Sequence, residues 1–125
     1  MTDLAELARH RYMALATFRR SGAEVRTPVW FAAVDGKLYV FTAGDSGKVK
    51  RLRHSPRARV APSDVRGHVR GAWTEAAARL VSEPAVIGKA HAALRAKYGV
   101  QMWLGDLFSR LTGRSARRAW IELEI

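Results

Sequence analysis

The sequence predicts a small, mostly β protein of the α+β class, a six-stranded barrel with helices packed outside it. Three observations lead there. Six short stretches of strand-type residues alternate with turn signals and helical stretches. The chain has only 125 residues, which suits one domain over residues 1–125 with a real core. With 48% apolar residues and ample aromatics the composition argues against disorder, and no repeat, linker or low-complexity tract interrupts it.

Taken in order, Asp3 is placed to cap a short helix, with Glu6 three residues later in the capping-box position. Residues 11–18 (RYMALATF) read as a strand and RRSGAE as its turn. Residues 25–34 (VRTPVWFAAV) form a second strand, in which Pro28 implies an edge or irregular position. Asp35-Gly36 is the strongest hairpin signal in the chain and joins it to a third strand over residues 37–43. Past the loop at 44–47, GKVKRLRHS reads as a helix with Val49, Leu52 and the stem of Arg53 inward, stopped by Pro56. RARVAPSDV and AWTEAAARLV read as two strands around the turn RGHVRG. Pro84 starts a helix with Val86, Ala90, Ala93, Leu94 and Tyr98 on one side and Gly99 as its C-cap. QMWLGDLFSRLTG is a second amphipathic helix, through Met102, Leu104, Leu107, Phe108 and Leu111. The alternation in RRAWIELEI, residues 117–125, predicts a half-buried final strand.

Composition excludes some chemistry. Without cysteine there is no disulfide, thiolate catalysis or zinc-thiolate site. The apolar runs are strand-sized, so no membrane partner is expected. The start, MTDLAELARHRYMAL, carries early acids and no cleavage pattern, so it does not read as a signal peptide and a cytoplasmic location is the default. His10, His54, His68 and His91 lack metal-ligand spacing, and no catalytic triad or carboxylate pair announces itself, leaving the catalytic residues unassigned. His68, in RGHVRG, is placed either to line a pocket or to stand in solvent. Trp30, Trp73, Trp103 and Tyr98 offer an apolar substrate floor, although Trp103, like Trp120, also suits the core or a dimer interface.

A net charge of +11 asks for an anionic partner. GDSGK tempts a P-loop reading, which fails because Thr42 stands where the first Gly belongs and Val49 where the Ser or Thr belongs. The underlying physics survives. A strand ends at Ala43, a Gly-bearing turn follows, and a helix begins near Ser46 with Lys48 in its first turn, an arrangement that favours an anion. The plainer reading is that Ser46 caps the helix and the lysines reach solvent. Lys50 and Arg53 make a basic stripe at i, i+3 spacing, but no base-reading element accompanies it, so no nucleic-acid partner is expected.

These stretches resemble a known family. TPVWF, LYVFTAGDSGKVKRLRHSPRARVAPSD, ARLV and LRAKYGVQMWL follow the order seen in the pyridoxamine-phosphate-oxidase-like split-barrel flavin and deazaflavin oxidoreductases, in particular the coenzyme F-420-dependent branch. SGKVKRL followed by SPR is the specific part. The resemblance implies an FMN-binding type of split β-barrel, a homodimer with coenzyme F-420, or alternatively FMN, in a groove between subunits, and hydride transfer to a small organic acceptor. It implies that Thr27, Pro28, Val29 and Trp30 lie along the tricyclic ring. It also implies that Thr42, Ala43, Ser46, Gly47 and Lys48 meet the phosphate, with Lys50 or Arg51 also facing the cofactor. Ala76 departs from the family pattern, which favours Gly there.

Overall fold

The structure, a computed structural model, describes residues 1–113 and 118–125. Helix α1 (Leu4–Ala8) precedes strands β1 (Tyr12–Phe18), β2 (Glu24–Val29), β3 (Ala32–Val34) and β4 (Lys37–Ala43). Helix α2 (Gly47–His54) leads to β5 (Arg57–Ser63) and β6 (Thr74–Val81), then to α3 (Pro84–Tyr98), α4 (Val100–Thr112) and β7 (Arg118–Glu124). Arg117, with which the last predicted strand begins, lies outside the described residues.

The strands form one antiparallel sheet in the order β2-β1-β5-β6-β7-β4-β3. Among the described residues there are seven of them, not the six predicted, because residues 25–34 make two strands at opposite edges. Val29 ends β2 and Ala32 begins β3, so only Trp30 and Phe31 separate the two edges. Three Cα–Cα steps span at most roughly 11 Å. The sheet must therefore curl until its outer strands meet at this joint. Pro28 sits in edge strand β2, where its missing N–H leaves no gap in a central ladder.

Curling gives the sheet an inner and an outer core. Met13, Leu15, Leu38, Val40, Val60, Ile121 and Leu123 fill the inside, joined by Leu7 of α1 and Leu52 of α2. On the outside Tyr39, Val81 and Trp120 pack against Ala90, Leu94 and Tyr98 of α3 and Met102 of α4. Strand β7 is consequently buried on both faces from Trp120 to Leu123, not half-buried as its alternation predicted. Buried Glu122 accepts hydrogen bonds from the Tyr39 phenol (2.8 Å) and Arg79 (3.1 Å). Burial opposes its ionisation, yet these donors outweigh that and hold its carboxyl below the usual range.

Local signals act as the chemistry requires. The Asp3 carboxylate accepts from Glu6 N–H at 2.8 Å to cap α1. Asp35 and Gly36, with φ of 52° and 80°, supply the two left-handed positions of the β3–β4 turn. Pro84 opens α3, and Gly99 (φ 59°) turns the chain from α3 into α4.

Helix α4 departs from its prediction. Met102 is buried, but Leu104, Leu107, Phe108 and Leu111 are exposed. The inward face is set by Met102 and Asp106, one turn apart. Asp106 accepts from Arg118 (2.7 Å) and Arg95 (2.9 Å) and bonds His91 Nε2 (2.8 Å), so charge pairing outranks apolar periodicity there. In α2, Arg53 is exposed and Arg51 is the half-buried arginine, bonded to Thr17.

Burial raises the Asp106 pKa, but the bonds from Arg118, Arg95 and His91 outweigh it and bring the value to about 2. The stability this carboxylate contributes is full above its ordinary value of 3.8 and is lost as pH falls toward about 2. Asp106→Asn should lower stability by roughly 2 kcal/mol at neutral pH and flatten the acid limb of a stability–pH profile measured by urea denaturation.

Candidate functional site

The joint between β2 and β3 is also where a cleft opens. Its volume is about 340 Å³, and it is lined by Tyr12, Pro28, Val29, Trp30, Phe41, Thr42, Lys48 and Val65. Strand β1 supplies its first residue, β2 its last two, and β4 the pair Phe41–Thr42. Helix α2 contributes Lys48 from its first turn, and the loop after β5 contributes Val65. Three aromatic walls, a proline and one ammonium thus converge from four elements, the β2–β3 joint and a loop. As the terminal strand, β2 also keeps one edge of backbone N–H and C=O groups out of sheet pairing.

Lys48 is half-buried and has no carboxylate partner among the described residues. Burial, and then the charge of Arg51, push its pKa down. An ammonium so placed gains from an anion entering the cleft. Ser46 does the plain work foreseen for it, its hydroxyl accepting from Val49 N–H at 3.4 Å to cap α2.

The wall formed by Trp30 is braced from behind. Its ring stacks on Tyr98 with centroids 4.4 Å apart and planes within 6°. The buried Tyr98 oxygen accepts from Phe31 N–H at 3.0 Å, and its hydroxyl reaches the carbonyls of Arg11 (2.8 Å) and Phe31 (3.1 Å). Phe31 lies between strands and so lacks ladder partners for its N–H and C=O; the phenol replaces them. Arg11 and Phe31 directly neighbour the cleft residues Tyr12 and Trp30, so one side chain of α3 ties both walls. Burial pushes the Tyr98 phenol up to about 12, keeping it a protonated donor. Lys97 lies with Nζ 3.5 Å above the Phe31 ring and has no hydrogen-bond partner among the described residues, and burial, then Arg11, lower it to about 8.

The structure brings Pro28, Val29, Trp30, Thr42 and Lys48 of the anticipated residues into one cleft. Thr27 pairs with Leu15 in the β1–β2 register and so faces inward, its Oγ1 buried without a hydrogen-bond partner among the described residues. Ala43 is exposed at the end of β4, outside the cleft lining. Gly47, Lys50 and Arg51 line a separate depression of about 480 Å³ together with Arg19, Arg20 and His54. Ala76 pairs with Ala58 and packs on the inner core, away from the cleft. His68 is exposed and bonds Asp64 at 3.0 Å. Of the suggested aromatic floor, only Trp30 lines the cleft. Trp73 lies under Arg26 and Arg59, and Trp103 is 56% exposed on α4. Sequence reasoning missed Tyr12, Phe41 and Val65, although the hairpin and strand pattern had placed Phe41 next to Thr42.

A family model described as pyridoxamine 5′-phosphate oxidase matches residues 3–125. The chain belongs to the pyridoxamine 5′-phosphate oxidase family. Within that family's fold, it is similar to protein Rv2991 from Mycobacterium tuberculosis (23% identity, TM-score 0.71, covering 98% of this chain and 79% of that one). It is also similar to the haem storage protein HutZ from Vibrio cholerae (15% identity, TM-score 0.71, covering 97% and 86%). A FAD-binding protein from Mesorhizobium loti shares 18% identity with a TM-score of 0.62, covering 95% and 82%. At these identities the likeness is one of fold. No curated protein is similar enough in sequence to count as a relative. The seven-stranded curled sheet with four helices is the family's architecture in this chain. Among the described residues no helix is long and apolar enough to cross a membrane.

Tyr98→Phe should preserve the Trp30 stack while leaving Phe31 N–H without its acceptor. The expected cost is about 1–3 kcal/mol in urea denaturation. Tyr98→Leu, which also removes the stack, should cost more.

Proposed function

We propose that this chain is an oxidoreductase that holds a tricyclic redox cofactor in the Trp30–Lys48 cleft and passes a hydride between it and a small organic acceptor. The single observation that carries the reading is Lys48: a half-buried ammonium without a counter-ion among the described residues, set in a cleft walled by Tyr12, Trp30 and Phe41. Aromatic walls suit a flat ring system, and the ammonium suits its phosphoryl group. Family membership and a FAD-binding protein of the same fold support a flavin-type ligand.

The cofactor we favour is coenzyme F-420, with FMN as the alternative. The basic excess of the chain supports the more anionic of the two. When bound, the cofactor supplies the hydride chemistry. The residues of this chain bind and orient it. Pro28 and Val29 border the ring with the free edge of β2, and Trp30, fixed by Tyr98, limits where the ring can lie. Thr42 and Lys48 meet the phosphoryl group.

A homodimer completes the reading. At about 340 Å³ the cleft is near the lower limit of roughly 300–1,000 Å³ typical of ligand pockets, which supports a second copy as its missing wall. The exposed apolar face of α4, with Trp103, Leu104, Leu107 and Leu111, supports burial against that copy. Haem is a weaker reading despite the similarity to HutZ, because among the described residues Tyr12 is the one side chain lining the cleft of a type that ligates haem iron, and no His, Cys or Met joins it. A carrier that holds the cofactor without turnover is the remaining alternative.

Titrating the purified protein with F-420, FMN and haem decides among these ligands. F-420 should bind most tightly, with an affinity that falls as salt rises, and Lys48→Ala should weaken it by about tenfold or more. Tighter binding of FMN would reject the F-420 assignment, and unchanged affinity in Lys48→Ala would reject the phosphoryl role. Turnover of a quinone or enone with reduced cofactor separates enzyme from carrier. Leu107→Glu should shift the sedimentation equilibrium from dimer toward monomer.

A further inference from the structure

The separate basic depression is built by two distant parts of the chain. Arg19 and Arg20 come from the turn between β1 and β2, which is held by Arg19 N–H to the Ala23 carbonyl (2.9 Å) and Gly22 N–H to the Arg19 carbonyl (2.8 Å). Lys50, Arg51 and His54 come from one side of α2. Together they border an open depression of about 480 Å³, and among the described residues no Asp or Glu lines it.

Three features set this corner apart from an ordinary solvated surface. None of its Lys or Arg side chains forms an ion pair among the described residues, whereas Glu24, Glu75, Asp64, Asp106 and Glu122 are all engaged by other arginines. Arg51 is held in place beforehand: its Nε donates to the fully buried Thr17 hydroxyl at 2.6 Å. Gly47 makes room for it, since a Cβ there would come within 2.6 Å of the Arg51 guanidinium. Burial, and then the neighbouring charge of Arg19, work against the Arg51 cation, a cost that an anion would relieve.

We infer that this depression is a binding site for a short phosphate chain, distinct from the Trp30–Lys48 cleft. Guanidinium forks match phosphoryl oxygens two at a time, and Arg19, Arg20 and Arg51 with Lys50 provide for more than one phosphoryl group. The chain of phosphates is either free or carried by a nucleotide. The inference does not rest on the cofactor proposed for the cleft, because its first probe, inorganic tripolyphosphate, contains no ring that the cleft would need to bind.

Isothermal titration calorimetry with inorganic tripolyphosphate and with ATP tests it, using the whole chain at low and at physiological salt. Saturable binding is expected, weakened about tenfold or more in Arg20→Gln/Lys50→Gln and kept in Lys48→Gln. Both side chains of the double variant are exposed, so its fold should survive, which circular dichroism checks. Equal affinity for the two probes supports a free chain, and about tenfold tighter ATP supports a nucleotide-borne one. The inference is overturned by absence of binding, by equal affinity for tetraglutamate, or by a loss in Lys48→Gln as large as that in the double variant. Displacement of tripolyphosphate by random-sequence duplex DNA at physiological salt would overturn it too, by showing a general polyanion surface.

Discussion

The fold depends on a two-residue crossing. Trp30 and Phe31 must carry the chain from one edge of the sheet to the other, and a chain that short forces the sheet to curl. That crossing leaves the backbone of Phe31 without ladder partners, and the Tyr98 phenol replaces them while its ring backs Trp30. Closure, the inner core and the aromatic wall of the cleft therefore share one device. The Phe31 side chain fills the interior, and the residue before it faces the cleft.

Charge is distributed as deliberately as apolar area. Most carboxylates on the sheet and on α4 are engaged by arginine, and two of them, Asp106 and Glu122, are buried because they are paired. Among the described residues, helix α2 receives none of this compensation. It presents Lys48 to an aromatic cleft and Lys50 and Arg51 to a separate depression, so its successive side chains address two places. Spacing along a helix explains the split: at about 100° per residue, Lys48 and Lys50 cannot share a face.

Much of this was legible in advance, because it is local chemistry. Asp3 as cap, Asp35-Gly36 as turn, Pro84 as helix start, Pro28 as an edge residue and Ser46 as the cap of α2 each follow from one side chain and its immediate backbone. The gathering of Pro28, Val29, Trp30, Thr42 and Lys48 was legible through the likeness of their surrounding motifs to those of a family. Periodicity failed where the deciding partner is remote. In α4 the apolar repeat is real, but Asp106 turns the helix toward Arg118, Arg95 and His91 and leaves the leucines outward. In β7 the alternation is equally real, yet α3 covers the face that should have been wet.

By itself, then, the sequence determined where elements start and stop, which strand takes an edge, and that a basic helix follows a strand beside a Gly-bearing turn. These are consequences of backbone dihedrals, missing donors and charges close together along the chain. Only the tertiary structure decided that residues 25–34 break into two edge strands, that Lys48 and Lys50 serve different cavities, and that Tyr98 holds the wall of the site. Each of those outcomes is fixed by contacts between residues far apart in sequence, such as Tyr98 with Phe31 and Arg51 with Thr17, which no local pattern encodes.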